Sequence, residues 1–207
     1  MMTVIDKIEK ALRNSVDAPG DEIQSTLDRF ISLGILRWDD PRLYQRSSPV
    51  DFEHDDVSGI YSRLRDVMLQ VWAICDFTRS FGLAAPQLGV LRRAFVFGFT
   101  TGELHFAVNP RIIERSPEIE IDFEGCLSLW EWRGEVARPK RIVIEYQDVR
   151  GALLRRSEAG ERARLLLHEC DHLDGIIYPH LMHEPSKLVG PRDYARICSG
   201  RVSSQVE

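Results

Sequence analysis

The spacing of hydrophobic residues predicts helices in the first part of the chain. Apolar side chains recur every three or four positions in 3–14, 22–33 and 55–78, which is the period of an amphipathic helix. Gly34 is a natural stop for the second of these segments. The third segment is the longest, so we expect it to be the main core helix.

Short apolar runs separated by turn residues predict strands in the middle of the chain. Residues 94–97 and 104–108 flank Thr100-Thr101-Gly102, a hairpin signature, and Asn109-Pro110 closes the second run. Further runs follow at 112–113, 119–121, 142–146 and 152–154. The turn signals between consecutive runs favour antiparallel pairing.

A last helix is expected over residues 162–173. This segment contains neither Gly nor Pro, it begins beside the acidic Glu161, and Gly175 is a natural C-terminal stop. A core helix, antiparallel strands and a closing helix together predict an α+β fold, with the strands packed around the C-terminal helix.

Composition and charge narrow the class of protein. The 207 residues suit one domain with an extension. The 27 Lys and Arg against 32 Asp and Glu give a net charge of −5, which does not favour direct nucleic-acid binding. No apolar run approaches the roughly 18 residues of a membrane span, and the N-terminus lacks a signal-peptide core. We therefore predict a cytoplasmic protein.

The four cysteines are interpreted as thiols. A reducing cytoplasm disfavours disulfides, so Cys75 and Cys170, on predicted helices, are expected to be packing residues. Cys198 lies in the polar tail. Cys126 differs because it lies in a turn between strand-like runs, where a thiolate is available as a metal ligand.

The closing helix carries the strongest chemical signal. His168 and His172 are four residues apart, so on a helix they share one face and can bind one metal ion. Glu169 lies at the edge of that face, where it can handle protons without being a ligand. Cys126 would complete three protein ligands and leave one position for water. A solvated or capping histidine pair is the alternative interpretation.

Three ordered motifs relate the chain to a known family. They are Gly82-Leu83-Ala84-Ala85-Pro86-Gln87, Glu124-Gly125-Cys126-Leu127-Ser128 and His168-Glu169-Cys170-Asp171-His172. In this order they resemble the peptide deformylase family, over roughly residues 38–182. The resemblance implies a domain division into an N-terminal helical extension, 1–34, a catalytic domain, 35–184, and a polar C-terminal tail, 185–207.

The resemblance also implies a reaction and a cofactor. The expected activity is hydrolysis of the N-formyl group of formylmethionyl peptides from newly made proteins, with release of formate. Glu169 would transfer the proton, while the Gln87 amide and the Leu127 backbone N–H would stabilise the oxyanion. The family implies ferrous iron at Cys126, His168 and His172, although the ligands also suit Zn²⁺, Ni²⁺ or Co²⁺. Asp171 is expected to orient a ligand histidine or to pair with a buried arginine such as Arg138.

Substrate contacts are expected at Gly82, Glu124 and Gly125 by the same resemblance. The chain departs from the family pattern at Ser80 and Leu167, which touch no catalytic atom, and in two features near the expected cleft. The loop predicted after Ser128 carries Trp130 and Trp132, which would either build a different cleft wall or cap the sheet. Glu161 stands where an apolar residue usually lines the methionine pocket, so we expect it to reach solvent, to pair with Arg164 or Arg133, or to bind a polar substrate group.

Two other functions stay open at this stage. One is hydrolysis of a different N-formyl compound in a specialised pathway, which Trp130, Trp132 and Glu161 favour. The other is a non-catalytic, metal-stabilised interaction protein whose N-terminal helices bind a partner. Glu169 and Gln87 argue against it, because a structural metal site needs neither of them. The ribosome is a candidate partner, and the oligomeric state is not predicted.

Overall fold

The structure is a computed structural model that describes residues 6, 21–75, 80–99, 103–190 and 193–197. Several predicted features lie outside these residues. They are nearly all of the helix at 3–14, the end of the core helix at 76–78, the hairpin tip at 100–102, and the tail from Cys198 onward.

In the described part of the chain, three α-helices correspond to predicted helical segments. They are α1 (Asp21–Ser32), α2 (Val57–Ile74) and α3 (Gly160–Leu173). The Asp56 side chain accepts a hydrogen bond from the Gly59 N–H at 2.8 Å and so caps the start of α2. None of the helices within the described residues is long and apolar enough to cross a membrane.

Within the residues that the structure describes, seven strands form two antiparallel sheets. They are β1 (Phe81–Ala84), β2 (Ala94–Gly98), β3 (Leu104–Arg115), β4 (Ile119–Cys126), β5 (Leu129–Pro139), β6 (Arg141–Gln147) and β7 (Leu153–Ala159). One sheet has five strands in the order β1-β2-β3-β6-β7, and β4 and β5 form a separate two-stranded ribbon. The prediction of antiparallel strands is confirmed.

Strand β3 is longer than the sequence predicts. Asn109-Pro110 does not end the strand, which continues to Arg115 and includes the run at 112–113. The pairing of β3 with β6 shifts register between Val108 and Arg111, and Asn109 has a φ of 49°. A bulge accommodates the proline, which has no N–H to donate to a ladder.

The prediction of a loop after Ser128 is wrong. Residues from Leu129 onward form β5, and Cys126 pairs directly with Leu129 across a tight turn. Buried and more exposed positions alternate from Trp132 onward, but Glu131 and Trp132 are both buried, and this obscures the period of two in the sequence. Trp130 is therefore held in a strand rather than in a mobile segment.

Helix α3 occupies the centre of the molecule. It contacts β1, β2, β3, β5, β6 and β7, and its apolar face packs onto the five-stranded sheet through Ala163, Leu166, Cys170 and Leu173. Helix α2 packs with β1 and β2 in a second apolar cluster. The α+β prediction, with strands around the C-terminal helix, is confirmed.

Gly175 determines how α3 ends. Its φ is 73°, in the left-handed region that favours glycine, and a Cβ atom at this position would lie 2.6 Å from the Tyr44 carbonyl oxygen. The glycine therefore ends the helix and lets the segment that carries Tyr44 cross it closely.

Candidate active site

Helix α3 presents two buried histidines toward the β4-β5 ribbon. His168 and His172 are one turn apart, and their ring centroids are 4.9 Å from each other. Both rings are buried, so neither is the solvated surface histidine of the alternative interpretation. A turn of helix has thus placed two imidazoles on one face, as the spacing of four residues predicts.

The third potential ligand comes from the end of β4. The Cys126 sulfur lies 3.3 Å from His172 Nε2, and a ligand atom from each of Cys126, His168 and His172 lies within 4.8 Å of the others. The tight turn between β4 and β5 aims the thiol at the helix. The structure therefore brings together the three predicted metal ligands.

Glu124 organises the far side of His168. His168 Nδ1 is 2.9 Å from Glu124 Oε2, which leaves Nε2 for a metal. Arg138 bonds to both Glu124 oxygens, at 2.8 and 2.9 Å, and to Asp171 at 2.6 Å. Arg164 Nη1 adds a contact to Glu124 Oε1 at 2.9 Å. The predicted contact of Asp171 with Arg138 is confirmed.

The charges of this cluster suit a metal site. Burial alone would raise the pKa of the Cys126 thiol, but the neighbouring His172 and His168 hold that pKa well below its ordinary value. Burial alone would lower the pKa of His168, but Cys126 and Glu124 raise it. A thiolate with two imidazoles is a donor set that a divalent transition metal accepts. The residues therefore fit the metal that the motif predicts.

Glu169 lies beside this cluster, and one of its carboxyl oxygens makes no hydrogen bond to the described residues. The residue is only 2% exposed, and its Oε2 has no hydrogen-bond partner among the described residues. Burial raises the pKa of Glu169 to about 7. A Cβ atom on Gly82 would lie 2.7 Å from Glu169 Cδ, so only glycine leaves room for the carboxyl group there.

Gln87 is fixed next to the thiol. Its Oε1 accepts a hydrogen bond from the Ala84 N–H at 2.9 Å, which orients the amide nitrogen. Gln87 Nε2 then lies 3.4 Å from Cys126 Sγ and 3.2 Å from Ser128 Oγ. The amide donor is thus held at the edge of the proposed metal site, and Leu127 lies beside it in the cleft lining.

The segment after α1 braces both of these motifs. The Leu36 N–H donates to the Gln87 carbonyl at 2.8 Å, and the Trp38 N–H donates to the Ser128 carbonyl at 2.8 Å. One extended stretch of backbone therefore ties the turn that carries Gln87 to the turn that follows Cys126.

A cleft of about 670 Å³ opens onto the cluster. It is lined by Cys126, His168, Glu169, Gln87 and Leu127, and by all five predicted substrate contacts, Gly82, Glu124, Gly125, Trp130 and Glu161. Trp132 is instead buried in a separate apolar cluster with Trp38 and Tyr178. The two tryptophans thus do different things: one contributes to the cleft wall and the other to the core.

Glu161 reaches solvent at the cleft. Its Oε1 accepts a hydrogen bond from the Ser80 backbone N–H at 2.7 Å, just before β1. The predicted pairing with Arg164 is not formed, because that guanidinium is turned to Glu124 and to the carbonyls of Glu120, Asp122 and Val136. Glu161 therefore ties the start of α3 to the edge of the sheet.

Three residues of the site make contacts that were not expected from the sequence. Arg164 was named only as a possible partner of Glu161, although its position four residues before His168 places it on the same helix face. Ser128 contacts Gln87 only through the fold. Tyr194 lines the cleft and packs its ring on Phe123 at 5.3 Å, and nothing in the polar sequence around it indicates this.

Removing the thiol is expected to remove the metal. The Cys126→Ala variant should lose most of its divalent metal on dialysis, whereas the wild-type protein retains about one ion per chain, because two imidazoles alone make a weaker site. Metal content per chain, measured by mass spectrometry of the dialysed protein, checks this. The control is Cys75→Ser, a thiol just beyond α2 and outside the cluster. Equal metal retention in Cys126→Ala and Cys75→Ser would remove Cys126 from the ligand set.

Comparisons with known proteins point to one family. The sequence model of the polypeptide deformylase family matches residues 32–187. The peptide deformylase of Thermotoga neapolitana is 38% identical over 138 residues, which cover 67% of this chain and 79% of that protein.

Solved structures of peptide deformylases are similar to this chain as well. The peptide deformylase of Thermotoga maritima superimposes with a TM-score of 0.63 at 35% identity, covering 72% of this chain and 95% of that one. A class I type b peptide deformylase of Acinetobacter baumannii, with Met-Ala-Ser bound, has a TM-score of 0.62 at 26% identity, covering 72% and 96%.

Proposed function

The chain belongs to the polypeptide deformylase family, and we infer that it removes the N-formyl group from N-formylmethionyl peptides of newly made proteins, releasing formate. The observation that carries this inference is the buried cluster of Cys126, His168 and His172 with the Glu169 carboxyl beside it. A metal that served only the fold would not need a buried acid-base group with an unpartnered oxygen.

We propose that Cys126, His168 and His172 hold one divalent ion. When bound, the ion supplies Lewis-acid activation of water near neutral pH and polarisation of the formyl carbonyl. The ligand set suits ferrous iron, zinc, nickel or cobalt, and affinity order alone would not select iron. Our proposal of ferrous iron rests on the family resemblance.

Glu169 is the proposed proton carrier. It accepts a proton as water attacks the formyl carbon, and it delivers that proton to the amine nitrogen as the C–N bond breaks. The second transfer matters because an amine leaves poorly as an anion. A pKa of about 7 lets both protonation states be populated near neutral pH. The products are formate and a peptide with a free amino terminus.

Gln87 and Leu127 are the proposed oxyanion donors. The Gln87 amide is held beside Cys126 by its own contact to the Ala84 N–H, so little reorganisation is needed when charge develops on the formyl oxygen. One such donor is typically worth about 3 kcal/mol of transition-state stabilisation. The Leu127 backbone N–H, next to the ligand cysteine, is the second donor.

The remaining predicted residues are proposed to shape the cleft. Gly82 and Gly125 line the cleft, and their missing side chains leave room for the Glu169 carboxyl and the Arg133 guanidinium at its wall. Glu124 holds His168 in place, and Trp130 forms part of the wall. We place the reaction in the cytoplasm, on chains emerging from the ribosome, and assign it to the catalytic domain 35–184, flanked by the extension 1–34 and the tail 185–207.

A different N-formyl substrate is the second candidate. The cleft lining includes five acidic residues and two arginines, and Glu161 reaches solvent there. Because Arg164 already bonds to Glu124 and to three backbone carbonyls, the exposed carboxylate of Glu161 favours a polar or basic side chain over methionine. This lining is the specific observation in favour of the alternative.

One substrate panel tests both candidates. Iron-loaded protein, purified without oxygen, is assayed for formate release from formyl-Met-Ala-Ser and from matched formyl peptides with polar or basic first residues. We expect formyl-Met-Ala-Ser to be hydrolysed with the highest kcat/KM. A preference for a basic first residue would favour the second candidate. No turnover of any formyl peptide by metal-replete protein would contradict the first candidate and favour a different N-formyl compound as the substrate.

A further inference from the structure

The N-terminal helix α1 reaches the wall of the cleft through one aromatic contact. Phe30 is 1% exposed, and its ring meets the Trp130 ring edge to face, with centroids 5.2 Å apart and an interplanar angle of 79°. This is a favourable geometry for an aromatic pair. Trp130 itself is only partly buried and lines the cleft.

Trp130 in turn contacts Arg133, which packs against the residue that precedes the proposed metal ligand Cys126. The Arg133 guanidinium lies over the Trp130 ring, 5.1 Å from its centroid, and its Nη1 donates to the Trp130 and Trp132 carbonyls at 2.8 and 2.7 Å. A Cβ atom on Gly125 would lie 2.5 Å from Arg133 Nε. Gly125 immediately precedes Cys126.

The position of the Trp130 ring affects substrate binding. Phe30 contacts the Trp130 ring from α1, whereas the Arg133 guanidinium lies over that ring from within β5. Loss of the Phe30 ring would remove packing from the α1 side of the indole, so the indole would gain rotational freedom there. A substrate packing against Trp130 would then have to order that side chain at a cost in affinity.

We propose that Phe30 is a positioning residue for substrate binding, which acts by holding Trp130 as a rigid wall against the peptide part of the substrate. The proposal rests on the function inferred above. It assigns the helix at 21–32 to the substrate cleft rather than to an independent partner surface. Phe30 does not touch the reacting atoms, so its effect belongs to binding and not to the chemical step.

Leu27 is a matched control on the same helix. It is buried to a similar degree, at 3% exposure, but it lies outside the apolar cluster that contains Phe30 and Trp130. Leu27→Ala should therefore lower the melting temperature without changing substrate affinity. Phe30→Leu keeps an apolar side chain at position 30, removes the aromatic edge and reduces the buried volume there.

The experiment compares wild type, Phe30→Leu, Leu27→Ala, Trp130→Ala and the double variant Phe30→Leu/Trp130→Ala, all as metal-loaded full-length protein. We measure kcat and KM for formyl-Met-Ala-Ser, the Kd of the product Met-Ala-Ser by calorimetry, and the Tm. Phe30→Leu should raise KM and Kd about three- to tenfold with kcat nearly unchanged. The double variant should match Trp130→Ala, because Phe30 acts through Trp130.

Three outcomes would overturn the proposal. Trp130→Ala with unchanged KM and Kd would show that the wall does not bind the peptide. Phe30→Leu behaving like Leu27→Ala, or effects of Phe30→Leu and Trp130→Ala that multiply in the double variant, would leave Phe30 a core residue only. In these cases the wild type is active and the proposed function stands. A wild type that neither hydrolyses formyl peptides nor binds Met-Ala-Ser would reject the function and this inference together.

Discussion

Replacing Glu169 by glutamine is expected to lower kcat/KM for formyl-Met-Ala-Ser about 10³-fold, the scale of a lost general acid-base group. The amide has nearly the same shape but cannot carry the proton from water to the leaving amine. Most of the loss should fall in kcat, since the substituted group acts on the reacting atoms rather than on the peptide. Formate release by metal-loaded protein, measured over a range of substrate concentrations, checks this.

The fold and the metal should survive this substitution. Glu169 is not one of the three proposed ligands, and its Oε2 makes no hydrogen bond within the described residues, so Glu169→Gln removes no contact that holds the cluster. We expect the metal content to be unchanged and the Tm to be equal or higher, because the cost of burying a carboxylate disappears. Glu114→Gln, on the exposed end of β3, is the control and should be fully active. A Glu169→Gln variant with wild-type kcat would assign the proton transfer to another group.

Replacing Arg138 by methionine is expected to destabilise the protein by about 3 to 5 kcal/mol. Arg138 and Glu124 are both buried, and the guanidinium makes two hydrogen bonds to Glu124 and one to Asp171. Removing it leaves the buried Glu124 carboxylate and the partly buried Asp171 carboxylate with less compensation. The free energy of unfolding of the metal-loaded protein in urea at pH 7 measures the loss.

An exposed ion pair provides the control for Arg138. Arg141 lies 3.6 Å from Glu118 on the surface, so Arg141→Met should change stability by less than about 0.5 kcal/mol. The double variant Arg138→Met/Glu124→Gln should lose less stability than the sum of its single changes. An Arg138→Met variant as stable as Arg141→Met would mean that water or another group satisfies both carboxylates.

The stability loss caused by Arg138→Met should depend on pH. Burial alone would raise the pKa of Glu124, but its bonds to Arg138 and His168 lower it far below the usual range. A depressed carboxyl pKa stabilises the fold above the unfolded pKa of about 4.3, and that stabilisation is lost as the pH falls below it. The difference in the free energy of unfolding between wild type and Arg138→Met should therefore become smaller below about pH 4.

The central helix illustrates what local sequence is able to determine. The period of 3.6 residues places His168 and His172 on one face and Glu169 at its edge, whatever the rest of the chain does. Gly175 likewise marks the end of α3, because the left-handed backbone there is open to glycine at little cost. The metal motif, the helix that carries it and the antiparallel strands were predictable because each depends on residues close together in the chain.

Only the tertiary structure decided which distant residues complete the site. Cys126 is 42 residues from His168, and its approach to His172 depends on how the β4-β5 ribbon packs on α3. Glu124 acquires three cationic or donor partners from two different elements in the same way. No periodicity encodes such contacts, since their energies come from burial and pairing that exist only in the packed state.

The same distinction explains the errors and omissions in the sequence analysis. Trp130 and Trp132 are two residues apart in one strand, yet one lines the cleft and the other lies in the core, because the ribbon is covered differently along its length. Phe30 lies in the N-terminal extension, and its edge-to-face contact with Trp130 was not predictable from the sequence. The sequence by itself determined the chemistry that the chain carries, and the packing of α1, α3 and the ribbon decided the shape of the cleft in which that chemistry takes place.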